Sequence, residues 1–184
     1  LKILETKLKI IFYFLMIFIY STSHAYEKDQ LISLKIENFF KNLQTLEANF
    51  IQVSPSGDVS NGKIYFDLPG KMRIDYENPN NLLITCQGFW IVIQDRDSKT
   101  TNNIPLKSSP FSIFLQDKSI LNNENFKTKY GVTSGVISLE IKSQEKDKLE
   151  GIVLEFSENP FNLKKWTILD TFGESTTVLI QDAK

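Results

Sequence analysis

Histidine is nearly missing from this 184-residue chain, and the one present, His24, lies close to the start. If the opening segment is removed, no imidazole remains. A Ser-His-Asp triad, a Cys-His pair and a histidine-ligated metal site are then excluded. Cysteine occurs once, at Cys86, so no internal disulfide can form. Cys86 closes the apolar run Leu82–Cys86 and reads as a small buried hydrophobe. A reactive thiol would need a nearby cation to lower its pKa, and no Lys or Arg is close in sequence. No Lys/Arg-rich stretch remains beyond the first residues, which argues against nucleic acid and against firm docking on anionic lipid.

A long hydrophobic run is also lacking. Ile10 to Tyr20 is the longest, eleven apolar residues. As a helix it would reach only about 16 Å, roughly half of a bilayer core. It follows Lys2, Lys7 and Lys9 and precedes Ser23-His24-Ala25, a small-x-small cleavage site. That is the three-part layout of a secretory signal peptide over residues 1–25, with a single domain over 26–184. The competing reading is an uncleaved membrane anchor. Cleavage would make the formal net charge of −1 more negative, since three lysines and one glutamate leave. No Cys directly follows the run, so the mature chain is expected to be unlipidated and soluble once cleaved.

What is present is alternation. Residues from Glu27 open with helical spacing: Leu31, Leu34, Ile36, Phe39, Phe40, Leu43 and Leu46. The period then shortens. Ala48–Val53, Gly62–Asp67, Lys71–Tyr76, Leu82–Cys86 and Phe89–Asp95 read as strands, separated by turns such as Leu68-Pro69-Gly70 and Asn78-Pro79-Asn80. One irregular strand is expected before Pro105. Ser109 and Pro110 then start a short helix, Ser109 as N-cap and Pro110 in the first turn, with Phe111, Phe114 and Leu115 on one face. Phe126–Val132, Val136–Ser143, Gly151–Ser157, Leu163–Asp170 and Ser175–Gln181 follow, for about eleven strands in all. A sheet of that size has two faces, and two helices cannot cover both. It must curl until one face closes on itself, either around a packed core or around a cavity for an apolar ligand.

The order and spacing of several segments resemble the LolA family of periplasmic outer-membrane lipoprotein carriers. They are Leu46-Glu47-Ala48-Asn49-Phe50-Ile51-Gln52 after the first helix, Gly62-Lys63-Ile64-Tyr65-Phe66, and Pro69-Gly70-Lys71-Met72-Arg73-Ile74-Asp75-Tyr76. Ser109-Pro110-Phe111, Asn159-Pro160-Phe161-Asn162-Leu163 and Trp166-Thr167-Ile168-Leu169-Asp170 continue the pattern. The resemblance implies a mainly β fold, an incomplete antiparallel β-barrel with a helical lid over an apolar cavity. It implies no enzyme activity and no cofactor. It also implies a monomeric chaperone that takes acylated lipoproteins from an inner-membrane lipoprotein-release transporter and passes them to an outer-membrane receptor or to the outer membrane itself. One departure stands out. Leu68 occupies the place where better-known members carry a basic residue that latches the lid, so either Arg73 or Lys71 takes that task or the lid is held apolarly.

The expected lipid-binding residues are Phe50, Phe66, Met72, Ile74, Trp90 and Val92 on strands, with Phe111, Phe114 and Leu115 on the lid. Aromatic rings and Met offer area and adaptable shape without strong polar clamps. An alternating apolar stripe is equally the signature of plain core, and Trp90 and Trp166 also read as packing anchors. Two other functions remain open at this point. One is a periplasmic lipid-binding protein or envelope sensor on the same curved sheet. The other is a carboxylate enzyme, which would need paired acids in a cleft.

Overall fold

The structure is a computed structural model and describes residues 30–115, 124, 126–144 and 151–184. Residues 1–25, expected to form a signal segment, lie outside the described residues. The chain divides into two compact units, Leu1–Asn38 and Phe39–Lys184.

In the first unit the described residues belong to helix α1, residues 30–42, which runs on into the second. Ile32 and Ile36, four apart, are its buried positions in this unit. Leu31 and Leu34, expected on the apolar face, are instead 55% exposed. Adjacent apolar residues point about 100° apart on a helix, so Leu31 and Ile32 cannot both lie at the centre of one face.

The second unit is an open antiparallel sheet of eleven strands: β1 Thr45–Val53, β2 Val59–Asp67, β3 Lys71–Tyr76, β4 Leu82–Gln87, β5 Trp90–Asp95, β6 Thr100–Pro105, β7 Phe126–Thr133, β8 Val136–Ser143, β9 Gly151–Glu158, β10 Phe161–Leu169 and β11 Ser175–Gln181. Their order across the sheet is β6-β5-β4-β3-β2-β1-β11-β10-β9-β8-β7. The chain starts at the centre with β1, meanders outward to the edge at β6, crosses to the opposite edge at β7, and meanders back until β11 pairs with β1. The crossover carries a 3-10 turn, Leu106–Ser108, and helix α2, Ser112–Leu115.

Register sorts the side chains, because residues directly opposite on paired strands share a face. Phe66 pairs with Met72, Met72 with Cys86, Cys86 with Ile91, and Ile91 with Ile104. Ile64, Ile74, Ile84 and Ile93 form a parallel row. On the other side of β1, Trp166 pairs with Val178 and Leu154, and Leu154 with Leu139. The register shifts between Leu163 and Lys165. This extra residue lets Leu163 and Trp166, three apart, both turn inward, which strict alternation forbids.

Gly62 lies between two aromatic rings. Its neighbours across the ladder are Phe50 and Tyr76, whose rings meet edge-on at 5.1 Å. A Cβ at Gly62 would lie 2.1 Å from the Asp75 carbonyl oxygen and 3.0 Å from Cε1 of Phe50. A glycine in the strand therefore allows the two rings to close over it. The Tyr76 hydroxyl donates to Oε1 of Gln52 at 2.9 Å, and burial raises its pKa.

Candidate functional site

The site is assembled where α2 meets the inner face of the sheet. The Ser109 hydroxyl accepts the Phe111 N–H at 3.2 Å, and the Ser109 carbonyl accepts from the Ser112 N–H at 3.0 Å. The first turn is therefore capped as the sequence predicts, and the assigned helix begins a residue or two later. Ile113, Phe114 and Leu115 are buried, and Phe111 is half-buried.

Phe114 is the centre of the arrangement. Its ring stacks on Phe66 of β2 at 5.6 Å and lies 5.4 Å from Trp166 of β10 and 6.1 Å from Phe40. Strands β2 and β10 are three strand spacings apart, about 14 Å on a flat sheet. One ring reaches both partners because the face curls toward the lid. Phe39 continues the cluster onto Phe156 at 5.2 Å and Phe161 at 6.1 Å.

The lid carries one further tie. The Gly70 N–H, in the turn between β2 and β3, donates to the Leu115 carbonyl at 3.0 Å, and the Gly70 carbonyl accepts from the Gly88 N–H at 3.0 Å. Gly70 has φ +82°, a conformation that glycine adopts without penalty. Lys71 instead bonds Asp67 at 2.7 Å, and Arg73 is engaged with Asp75. Both basic side chains alternate away from the inner face. Of the two alternatives left open at Leu68, the contacts of α2 fit the second: apolar packing and a main-chain hydrogen bond hold it.

The expected lipid-binding residues separate into two groups. Phe50, Phe66, Met72, Ile74, Phe114 and Leu115 are all buried, with the strand members on the inner face. Trp90 and Val92 are not with them. They alternate with Ile91 and Ile93, whose partners Cys86 and Ile84 carry the inner row, so Trp90 and Val92 belong to the outer face. The run Trp90-Ile91-Val92-Ile93 is apolar throughout, and nothing in it marks which alternate residues point inward.

Several inner-face residues escaped the sequence reading: Ile84, Ile91, Ile93 and Ile104 on β4–β6, and Ile113 on the lid. Ile84 and Ile93 are half-buried and Ile104 is exposed, whereas Ile64 and Ile74 in the middle of the sheet are buried. The isoleucine row thus runs from buried at Ile64 and Ile74 to half-buried at Ile84 and Ile93, while Ile104 ends the neighbouring row, which is buried as far as Ile91. The inner-face Cys86 is a free buried thiol, donating at 3.8 Å to the Gly88 carbonyl. Burial pushes its pKa up, away from a reactive thiolate. Among the described residues, no group of three or more His, Cys, Asp or Glu side chains is gathered to hold a metal ion. Among the same residues no helix is long and apolar enough to cross a membrane.

These features define a class: an open, curled antiparallel sheet whose apolar face is covered by a short helix in the crossover between its two edges. The family described as outer membrane lipoprotein carrier protein LolA matches residues 41–184. The chain belongs to that family. A relative from Cupriavidus necator, named outer-membrane lipoprotein carrier protein, is 29% identical over 175 residues, spanning 88% of this chain and 79% of the relative. A relative of the same name from Cupriavidus pinatubonensis is 28% identical over 156 residues, 77% of this chain and 72% of that one. A solved LolA superfamily protein from Nitrosomonas europaea aligns over 84% of this chain and 92% of its own at 9% identity, with a TM-score of 0.47.

Proposed function

We propose that this chain is a lipoprotein carrier of the bacterial envelope that holds the acyl chains of its cargo against the inner face of the sheet, in the place now filled by the lid. It is a carrier and not an enzyme. Residues 1–25 are its secretion signal, and residues 26–184 act in the periplasm. An inner-membrane transporter hands over the cargo, and the outer membrane or a receptor there receives it.

The observation that carries this reading is the seat of Phe114 between Phe66 and Trp166. Phe114 fills an apolar slot as a removable plug. Burying an apolar side chain contributes about 1.5–3 kcal/mol, so Ile113, Phe114 and Leu115 together hold the lid by roughly 5–9 kcal/mol. The single Gly70–Leu115 hydrogen bond adds about 1 kcal/mol. An acyl chain burying ten methylenes gains about 8 kcal/mol, equivalent to about micromolar affinity. The exchange of lid for lipid is therefore close to balanced, as reversible loading and unloading requires. Of the buried members of the expected set, Phe50, Phe66, Met72 and Ile74 line that slot and Phe114 and Leu115 fill it from the lid, with Phe111 at its margin. Ile84 and Ile93 extend it toward the open edge.

The test is release of an acylated lipoprotein from inner-membrane vesicles, with mass spectrometry of whatever co-purifies. Wild-type protein is expected to solubilise the lipoprotein, and Phe66→Asp to lose at least tenfold in yield while keeping the β-sheet circular dichroism signal. Free phospholipid as the only bound species, with no lipoprotein released, would overturn the carrier reading in favour of a general lipid-binding protein.

A further inference from the structure

Between β4 and β5 the chain turns through Gly88-Phe89, and this hairpin tip is unusually apolar. Phe89 is 84% exposed, and Trp90, the first residue of β5, is 55% exposed. With Pro105 and Lys107 they line an open cleft of about 630 Å³. The tip is fixed in place. Its Gly88 N–H bonds the Gly70 carbonyl at 3.0 Å, and the Phe89 carbonyl accepts from the Leu106 N–H at 2.9 Å. The second bond joins the tip to the segment that leads directly into the lid.

One ammonium at this corner has no partner carboxylate among the described residues. Three segments meet there: 68–71, 87–90 and 105–110. Their charged residues are Lys71 and Lys107, both basic, in a chain whose formal net charge is −1. Lys71 is paired with Asp67. Lys107 is exposed, and no ion pair involves it among the described residues. A phenyl ring, an indole and an unpaired ammonium side by side match the region of a bilayer where acyl chains meet phosphate. Indole rings favour that boundary, and a lysine head reaches the phosphate layer from an apolar stem.

We propose that the Phe89–Trp90 tip is a bilayer-contact surface. Phe89 and Trp90 enter the headgroup–acyl boundary of a phospholipid membrane, and Lys107 meets lipid phosphate. Contact is weak and transient, since the rings supply most of the attraction and the rest of the chain is not basic. Because the tip is bonded to the lid segment, contact brings the lid end of the sheet to the membrane surface. That last link to cargo handling rests on the carrier reading; membrane contact itself does not.

The two tryptophans make the test direct, because Trp166 is buried at 2% exposure while Trp90 is not. Full-length mature protein is mixed with vesicles of zwitterionic phospholipid, and with vesicles containing about one third anionic phospholipid. Some acyl chains in each carry bromine as a quencher. Trp90 emission is expected to shift to the blue and to be quenched, and Trp90→Phe should remove that signal without abolishing sedimentation with vesicles. Phe89→Ser should weaken vesicle binding about tenfold, and Lys107→Gln should weaken it only on the anionic vesicles. An unchanged spectrum, or equal binding by wild type and Phe89→Ser, would overturn the proposal. So would a blue shift that appears without vesicles and tracks dimer formation in sedimentation, since the occupant would then be a second copy of this chain. Solution binding of an acylated peptide separates the two readings. Acyl binding with no vesicle contact defeats this proposal alone, and vesicle contact with no acyl binding defeats the carrier reading alone.

Discussion

The two wings of the sheet are built from similar residues and packed very differently. In the β8–β10 wing, Ile137, Leu139, Ile141, Ile152, Leu154, Phe156 and Trp166 are sealed from solvent. In the β4–β6 wing, the inner face carries Cys86 and Ile91 buried, Ile84 and Ile93 half-buried and Ile104 exposed. The first wing behaves as an ordinary hydrophobic core. The second leaves part of its apolar face uncovered among the described residues, and α2 sits where the two meet. A carrier needs both: a wing that supplies folding free energy, and a wing that withholds some of it for cargo.

Substitutions in the two wings, at the sheet centre and on the outer face sharpen that contrast, from the largest expected effect to the smallest. Phe156→Ala, in the sealed wing, should cost about 3–5 kcal/mol of stability, read from denaturant unfolding. A loss under about 1 kcal/mol would mean that this wing is as loosely packed as the other. Gly62→Ala should cost about 1–3 kcal/mol, because the new methyl meets the Asp75 carbonyl oxygen and wedges apart the Phe50 and Tyr76 rings. Ile93→Ala, in the open wing, should cost only about 1 kcal/mol of stability yet weaken acyl-peptide binding several-fold. Equal losses in folding and binding for Ile93→Ala and Leu154→Ala would erase the distinction between the wings.

The smallest effect is electrostatic and belongs to the outer face. Arg96, bonded to Asp75 at 2.8 Å, holds the Asp75 carboxyl below the usual carboxylate range, and Arg73 adds to this. A carboxyl with a depressed folded pKa stabilises the fold above its unfolded pKa, near 3.8, and loses that contribution as pH falls through the folded value. The groups are partly exposed, so the contribution is about 0–1 kcal/mol. Asp75→Asn should flatten the acid limb of a stability–pH curve by about that amount and leave acyl binding unchanged, since Asp75 points away from the inner face.

Legibility followed local pattern. Strands β3, β8 and β11 begin and end where alternation predicts, because polar and apolar residues trade places along them or turn residues bound them. The lid start was legible from Ser109 and Pro110, since a capping hydroxyl is a local device. The faces of β5 were not, because four consecutive apolar residues carry no period of two. The turn of Trp166 inward beside Leu163 was not, because a bulge is set by pairing with β9. The main-chain tie between Gly70 and Leu115 joins residues 45 positions apart, and a carbonyl leaves no trace in side-chain identity.

From the sequence alone came the strands and their turns, the capped start of α2 and the reading of Cys86 as a small buried hydrophobe, all properties of neighbouring residues and composition. Tertiary structure decided which side of each strand faces inward, that Phe114 rests between Phe66 and Trp166, and that one wing is sealed while the other stays open. Those outcomes depend on register between strands and on how far the sheet curls, and both are settled by pairing across the whole fold, not by any one segment.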